Sequence, residues 1–295
     1  MPSHSRTIIL SRPGDKNLGL MARLQRAGHA VLVAPALELQ PLPLDAAALP
    51  LPNDFDLVMF VSGYAVSCYL HACKARVADF SWPATTWAAC VGAATASALL
   101  DSGLIPPGCV VCPEPLHDTL TSAAVSVARC SADEKPASFG NDSEALWQTL
   151  QPLLPRLKRV LIVRGETGRD WLARQLNASG IQVRVLKMYR RLPALWTPDV
   201  RQAVVLAFND PAGPVTVLTS RESVDAFLDN LVRAISAPFL ERACFVVIHP
   251  RVADHLQSAL QRSGMVLNPV VKLSSPGDDA LFQVISELSS PALHS

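Results

Sequence analysis

The sequence lacks a strong net charge. Its 295 residues carry 26 basic and 25 acidic side chains, which gives a formal net charge of +1. Domains that bind nucleic acid or anionic membrane surfaces are usually strongly basic, and no such global field exists here. Any anionic ligand must therefore be held by a local site.

A long apolar segment is also missing. Residues 1–6 are polar and lead directly into the short apolar run 7–10, without the extended apolar core of a signal peptide. The smoothest later stretch, residues 88–100, is rich in small residues and is shorter than the ~20 residues needed to cross a bilayer. Hydrophobic residues nevertheless make up 49% of the chain, enough to bury two cores. We therefore expect a cytoplasmic globular protein of two domains.

The sequence contains no complete cysteine-based site and none of the common catalytic signatures. Its seven cysteines are scattered and odd in number, which is typical of reduced thiols. Cys109 and Cys112 have the spacing of a redox or zinc pair, but the segment 109–112 predicts a strand, which would point the two thiols to opposite faces. There is no P-loop, no G-x-S-x-G, no H-E-x-x-H and no complete dinucleotide fingerprint. We expect a function without metal, nucleotide or other cofactor.

Short β-branched runs alternate with amphipathic segments along most of the chain. The predicted strands are residues 7–10, 30–34, 57–61, 87–91, 110–112, 160–163, 183–186, 216–218, 245–248 and 270–273. Several amphipathic segments end at a glycine, such as Gly103, Gly180 and Gly264, where a left-handed C-cap is favoured. This alternation predicts parallel sheets covered by helices.

The chain resembles itself in an ordered series of matches. Segments 8–13, 24–28, 60–66, 90–92, 110–111 and 142–146 resemble 161–165, 176–180, 218–224, 247–249, 270–271 and 278–281 in turn. One such match could arise by chance, but an ordered series indicates two copies of one α/β unit. Residues 113–140 have no partner in the second copy and are predicted to be a surface insertion. Residues 38–52 and 190–198, which contain prolines, are predicted to connect the domains.

Hydroxyl residues follow the predicted strands where helices begin. Ser62, Thr95 and Ser220 are the main examples. Ligands of open α/β sheets bind beyond the carboxyl ends of the strands, where helix N-termini favour anions. Serine and threonine at these places are also ordinary N-caps, and the sequence leaves both readings open.

Two further features could take part in chemistry. Arg164, Gly165, Gly168 and Arg169 form a turn in which glycines permit close approach and arginines can bind carboxylates, although a plain βα turn with solvated arginines has the same pattern. Tyr189 ends a predicted strand near a predicted connector. A phenol is protonated at neutral pH and can donate a proton, but a tyrosine at such a place often only packs.

Seven segments occur in a characteristic order. They are Leu10-Ser11-Arg12-Pro13, Phe60-Val61-Ser62-x-x-Ala65-Val66, Val91-Gly92-x-x-Thr95-Ala96, Asp142-Ser143-Glu144-x-Leu146, Leu161-Ile162-Val163-Arg164-Gly165-x-x-Gly168-Arg169, Val185-x-x-Met188-Tyr189-Arg190 and Leu218-Thr219-Ser220. In order and spacing they resemble the uroporphyrinogen-III synthase family over nearly the whole chain. The resemblance implies an α/β fold of two flavodoxin-like domains with parallel sheets, joined by extended linkers at 38–40 and 188–191. One domain would be discontinuous, with residues 1–37 and 192–295, and the other would comprise residues 41–187.

The resemblance also implies an activity. Family members cyclise the linear tetrapyrrole hydroxymethylbilane, with loss of water and inversion of the terminal ring, and without a cofactor. Such a protein would be a monomer that binds a small molecule between its domains, and would bind neither nucleic acid nor membrane. Tyr189 would be the proton donor. The substrate carboxylates would be bound by a further set of residues: Arg12, Ser62, Thr95, Arg164, Gly165, Gly168, Arg169 and Ser220.

The sequence departs from the family pattern at two places. His249 and its neighbours stand where many relatives have a glycine and a hydroxyl residue, and Tyr64 replaces a position that is often basic. These departures put individual ligand contacts in doubt. A non-catalytic anion-binding module remains an alternative, and so does a sugar- or nucleotide-modifying enzyme, against which the missing phosphate loops count.

Overall fold

The computed structural model describes residues 6–113, 142–234, 242–263 and 269–289. Within these ranges the chain forms eleven strands and nine α-helices. The strands are β1 (Ile8–Leu10), β2 (Val31–Val33), β3 (Leu37–Pro41), β4 (Leu57–Phe60), β5 (Trp87–Cys90), β6 (Val110–Val111), β7 (Arg159–Gly165), β8 (Gln182–Pro193), β9 (Val215–Leu218), β10 (Cys244–Val247) and β11 (Val270–Leu273). The helices are α1 (Leu18–Arg26), α2 (Gly63–Arg76), α3 (Ala93–Asp101), α4 (Asp142–Leu150), α5 (Trp171–Ala178), α6 (Pro198–Asn209), α7 (Arg221–Ala234), α8 (Pro250–Arg262) and α9 (Asp278–Ser289).

The chain divides into two compact units. The first unit combines Met1–Leu39 with Arg191–Ser295, and the second unit is Gln40–Arg190. The first unit is therefore discontinuous in sequence. Each unit has its own sheet and its own hydrophobic core.

The first unit contains a five-stranded parallel sheet. Its order is β11-β10-β9-β1-β2, and every neighbouring pair is parallel. The inner strands β1, β9 and β10 are buried along their whole length, as expected for a parallel sheet that is covered on both faces. Two separate clusters of apolar side chains surround this sheet, one that includes Phe227 and one that includes Leu20.

The second sheet has six strands in the order β3-β8-β7-β4-β5-β6. Four of them lie wholly in the second unit, and the chain passes from one unit to the other within β3 and within β8. The pairs from β8 to β6 are all parallel. The chain runs antiparallel along β3 and β8, because Leu42 N donates to the Met188 carbonyl while Ala194 N donates to the Ala36 carbonyl. These two strands contain residues 38–40 and 188–191, the predicted linkers, which are therefore extended and paired with each other. As an edge strand, β3 tolerates Pro41 at its end.

The two sheets repeat the same arrangement of parallel strands. β1, β2, β9, β10 and β11 of the first unit correspond in position to β7, β8, β4, β5 and β6 of the second. These pairs are the ones that the internal sequence matches predict. Gly28 and Gly180, which are matched in the repeat, both adopt positive φ, at 86° and 80°, where glycine avoids the steric cost of a Cβ atom.

Several local predictions can be compared with the described residues. Gly103, like Gly180, has a positive φ, as expected after a helix, whereas Gly264 lies outside the described residues. The prediction of a strand over 109–112 was too long, because only Val110–Val111 is a strand and Cys109 belongs to a 3-10 turn. The predicted insertion at 113–140 lies, apart from Pro113, outside the described residues.

Candidate functional site

Three strand ends in the second unit bring together predicted site residues. The register pairs Phe60 at the end of β4 with Val163 of β7, and Gly165 at the end of β7 with Tyr189 of β8. Ser62 lies just beyond β4. The parallel pairing of β4, β7 and β8 therefore places Ser62, Gly165 and Tyr189 at one edge of the sheet.

Ser62 begins helix α2. Its backbone is extended, with φ −164° and ψ 157°, and its hydroxyl accepts a hydrogen bond of 3.2 Å from Ala65 N. Serine is favoured as an N-cap because this bond satisfies one of the first N–H groups of the helix. The N-cap reading of Ser62 is therefore confirmed, and the side chain remains partly exposed.

Tyr189 is buried, with only 2% of its surface exposed. Its phenolic oxygen lies 3.0 Å from the Ser62 hydroxyl oxygen, within hydrogen-bonding distance. Its backbone carbonyl accepts a bond of 2.7 Å from Glu166 N. The tyrosine is thus held at both its backbone and its hydroxyl.

A β-bulge sets the direction of the Tyr189 side chain. The pairing of β7 with β8 shifts between Arg164, which faces Lys187, and Gly165, which faces Tyr189. Bulges of this kind re-aim side chains and are frequent next to active sites. A Cβ atom at Gly165 would lie 3.0 Å from two ring carbons of Tyr189. The absence of a side chain at Gly165 therefore leaves the space that the phenol occupies.

Tyr64 packs against Tyr189 in the same cluster. The two ring centroids are 5.0 Å apart and the ring planes are inclined at 86°, an edge-to-face geometry that favours aromatic pairs. Tyr64 is partly exposed. It also bonds to Cys68, whose thiol pKa is raised by burial and partly lowered by that hydrogen bond. Sequence reasoning noted Tyr64 only as a departure, and no local signal indicated its contact with Tyr189.

Thr95 does not begin helix α3. Gly92 is the N-cap, and Thr95 is the third helical residue, with 6% of its surface exposed. The expectation that Thr95 opens the helix was therefore wrong, because Gly92 already has the extended backbone that precedes a helix. The structure leaves Thr95 beyond β5, the neighbour of β4.

Arg164 is the buried penultimate residue of β7. Its Nη1 atom donates to the Asp170 carboxylate at 2.7 Å and to the Arg169 carbonyl at 3.2 Å. Its Nε atom is buried without a hydrogen-bond partner among the described residues. A Cβ atom at Gly168 would lie 3.7 Å from the Arg164 guanidinium, so the glycine packs close to it. Gly168 and Arg164 therefore lie close together, and Asp170 is an internal partner of Arg164 that the sequence did not indicate.

Arg12 forms a comparable cluster in the first unit. Its Nη1 atom donates to the Asp278 carboxylate at 2.7 Å, and its Nε atom donates to Asn17 at 3.3 Å. Asn17 in turn donates to the Arg12 carbonyl at 2.7 Å. The Nη2 atom is buried, and the described residues offer it no hydrogen-bond partner. Arg12 lies two residues beyond β1 and Arg164 is the penultimate residue of β7, so both arginines lie near the carboxyl ends of corresponding strands.

The other strand ends of the first unit also lead into capped helices. Ser220 Oγ accepts from Ser223 N at 3.0 Å at the start of α7. His249 caps α8, where its Nδ1 atom accepts from Arg251 N at 3.0 Å. Ser220 thus corresponds to Ser62, and His249 to Gly92. The unusual histidine at 249 has a structural role as a cap.

Within the described ranges, no group of three or more His, Cys, Asp and Glu side chains has the geometry to hold a metal ion. No described helix combines the length and apolarity that crossing a membrane requires. Cys109 and Cys112 are not joined by a disulfide, and burial raises the pKa of Cys109.

Comparison with known proteins shows which family this chain is similar to. The model of the family "Uroporphyrinogen-III synthase HemD" matches residues 19–113 and 121–265. The crystal structure of uroporphyrinogen-III synthetase from Helicobacter pylori is 16% identical, covers 96% of this chain and 99% of its own, and has a TM-score of 0.54. A mutant uroporphyrinogen III synthase from the extremely thermophilic bacterium Thermus thermophilus is 17% identical, with coverages of 96% and 98% and a TM-score of 0.48.

The Helicobacter pylori structure agrees with this chain in fold, and the family match extends over most of the sequence. Both agree with the two α/β units described above. This chain belongs to the uroporphyrinogen-III synthase family.

Proposed function

We propose that this protein is a uroporphyrinogen-III synthase, a cyclising lyase of tetrapyrrole biosynthesis that acts in the cytoplasm as a monomer. It would convert hydroxymethylbilane to uroporphyrinogen III, with loss of water and inversion of the terminal pyrrole, and without a cofactor. The observation that supports this most is the family match over residues 19–113 and 121–265.

The reaction sets two physical tasks. A hydroxyl group must leave as water, which requires a proton donor. A flexible chain must also be folded so that its reactive carbon meets the substituted position of the last ring. Orientation of this kind supplies roughly 7–11 kcal/mol in favourable cases. No metal or nucleotide is needed for either task.

Tyr189 is our candidate for the ultimate proton donor. Its hydroxyl is bonded to Ser62, and its ring is fixed between Gly165 and Tyr64. A group that is already held in place loses little freedom when the substrate binds, which favours a low barrier.

Arg12 and Arg164 are our candidates for binding the substrate's acetate and propionate groups. Each uses part of its guanidinium on an aspartate, yet each keeps one buried nitrogen without a partner in the described residues. A buried, unsatisfied N–H of a charged group is costly, and a carboxylate would satisfy it with a charge-assisted bond. We assign supporting contacts to Gly165, Gly168, Arg169, Thr95 and Ser220.

The decisive experiment follows the isomer of the product. Purified protein is incubated with hydroxymethylbilane that is generated enzymatically in the same vessel, and the oxidised porphyrins are separated by chromatography. We expect the type III isomer. Hydroxymethylbilane closes spontaneously to type I, so type I alone at every protein concentration would remove the synthase proposal. The rival, a non-catalytic anion-binding module, would then be tested by titration with the product.

The role of Tyr189 is tested by Tyr189→Phe. We expect turnover to fall on the order of a hundredfold, the scale of general acid catalysis, while the dissociation constant of the product changes little. Unchanged turnover would reduce Tyr189 to a packing residue.

A further inference from the structure

The burial of Tyr189 conflicts with direct proton donation to a bound substrate. Only 2% of its surface is exposed, so its hydroxyl does not offer an open face. The Ser62 hydroxyl, 3.0 Å away, belongs to a partly exposed residue. Of the two residues, Ser62 is therefore the more accessible to a substrate hydroxyl.

The hydrogen bonds of Ser62 define where its proton points. A serine hydroxyl has one hydrogen to donate and two lone pairs to accept with. One lone pair takes the Ala65 N–H at 3.2 Å. The buried phenol must place its hydrogen on an acceptor, and the Ser62 oxygen lies at hydrogen-bonding distance. With both lone pairs used in this way, the Ser62 hydrogen is left to be donated outward.

We propose that Ser62 and Tyr189 form a two-step proton relay in which Ser62 contacts the substrate. The proposal rests on the synthase function above. As the C–O bond of the hydroxymethyl group breaks, the departing oxygen takes the Ser62 hydrogen and leaves as water. The Ser62 oxygen takes the Tyr189 hydrogen at the same time, and Tyr189 becomes a phenolate. The reactive carbon, now cationic, forms a C–C bond at the substituted position of the terminal ring; the C–C bond already present at that position then breaks, and a new C–C bond forms at the unsubstituted carbon. That carbon loses its proton, which restores the phenol, so that atoms, protons and charge balance over the cycle.

The surroundings are suited to such a relay. Ser62 lies at the N-terminus of α2, a helix of 14 residues. The partial positive charge at this helix end favours the transient negative charge of the Tyr189 phenolate. Tyr64 packs against the Tyr189 ring, and the bulge at Gly165 fixes its direction. In this scheme Ser62 is a catalytic residue, whereas Tyr64 is a positioning residue.

Four variants test the coupling in single-turnover reactions: Ser62→Ala, Tyr189→Phe, the double variant and Ser62→Thr. If the proton passes through both hydroxyls, each single variant slows the reaction on the order of a hundredfold. The double variant is then no slower than either single one, because groups that act as a unit are not additive. Ser62→Thr keeps a hydroxyl and an N-cap, and retains most of the activity.

Thr197→Ala is the matched control for the loss of an N-cap. Thr197 caps α6 by accepting from Val200 N at 3.3 Å, and we assign it no part in the reaction. Each cap lost costs ~1 kcal/mol. Ser62→Ala also leaves the buried Tyr189 hydroxyl without its partner, which adds about 1–3 kcal/mol, so Ser62→Ala should lower Tm more than Thr197→Ala. Only Ser62→Ala should slow the reaction. Equal slowing in both would show that the cap alone matters, and would overturn the relay.

Mixtures of H2O and D2O separate a relay from simple positioning of Tyr189. Two protons in flight give a bowed dependence of the rate on the deuterium fraction, whereas one proton gives a straight line. A straight line for the native protein, or full activity of Ser62→Ala, would overturn the relay while type III product still supported the synthase. Failure of the native protein to form type III product would instead refute the function on which the relay rests.

Discussion

Replacing Gly165 by alanine tests how closely the turn after β7 controls Tyr189. The new Cβ atom would lie 3.0 Å from Cε2 and Cζ of the tyrosine ring and 3.3 Å from its hydroxyl oxygen. Ordinary contact begins at 3.4 Å. The ring must therefore move by several tenths of an ångström, and Tyr64 packs against it at a centroid distance of 5.0 Å.

This movement should lower the stability of the protein and change the distance between Tyr189 and Ser62. Overpacking of a buried site costs about 1–3 kcal/mol. For a unit the size of Gln40–Arg190, each kcal/mol lowers Tm by about 2–4 °C. The bond between Tyr189 and Ser62 is 3.0 Å long, so a ring displacement of this size weakens it or breaks it.

The assay compares Gly165→Ala with Gly277→Ala. A Cβ atom at Gly277 meets nothing within 4 Å, so this variant measures the effect of an added methyl group in open space. We expect Gly165→Ala to slow type III formation at least tenfold, the scale on which misplacement of a reacting group costs rate, with a lowered Tm. The control should keep its activity. A Gly165→Ala protein with native Tm and native rate would refute the steric argument and, with it, the tight fit of the phenol.

Three further predictions concern charge, pH and backbone. Arg164→Lys keeps the positive charge but loses the planar guanidinium, so the dissociation constant of the product should rise roughly tenfold or more. The control Arg26→Lys, at an exposed position, should bind the product normally in the same titration. Equal binding by both variants would exclude Arg164 from the site. Burial raises the pKa of Cys73 to about 11, so the native state favours the neutral thiol. The neutral thiol therefore adds about 2 kcal/mol to the free energy of unfolding relative to strongly alkaline solution. This stabilisation is complete below pH ~9 and is lost as the pH rises through about 11. Urea denaturation at pH 8 and pH 10.5 should show a smaller alkaline loss in Cys73→Ala, and an unchanged loss would contradict this cause. Gly213 has a φ of 68°, and a Cβ atom there would lie 2.7 Å from the carbonyl carbon of Arg242, so Gly213→Ala should cost about 3 kcal/mol or more in unfolding free energy, and a near-native urea midpoint would contradict that prediction.

Local patterns in the sequence predicted most of the regular elements. The ten predicted strands all appear, because runs such as Ile8–Leu10 combine high β propensity with full burial. The edge strand Leu37–Pro41 was missed as a strand because its burial is mixed and it ends in proline. Ser62 was recognisable as a cap from its type and its place after a strand. The cap at Gly92 was not, since glycine gives no side-chain signal.

The predicted site depends more on tertiary structure. Arg12 and Asp278 are separated by most of the chain, yet they form an ion pair of 2.7 Å, and no sequence spacing indicates this. The contact between Tyr64 and Tyr189 likewise depends on the pairing of β4, β7 and β8. The sequence also could not indicate that Tyr189 would be buried, because a strand end is exposed or covered according to what packs beside it.

The presence of two copies of one α/β pattern can be recognised from the sequence, because strand propensity, helix periodicity and turn glycines are local properties that repeat along the chain. The way in which the two copies combine depends on contacts between distant segments of the fold. β1 pairs with β9, with Ile8 opposite Val215, and β4 pairs with β7, with Leu57 opposite Val160. Each unit therefore contains strands from both copies. Such pairing follows from which buried faces and strand registers fit over long sequence separations, and this information is present only when the distant segments meet.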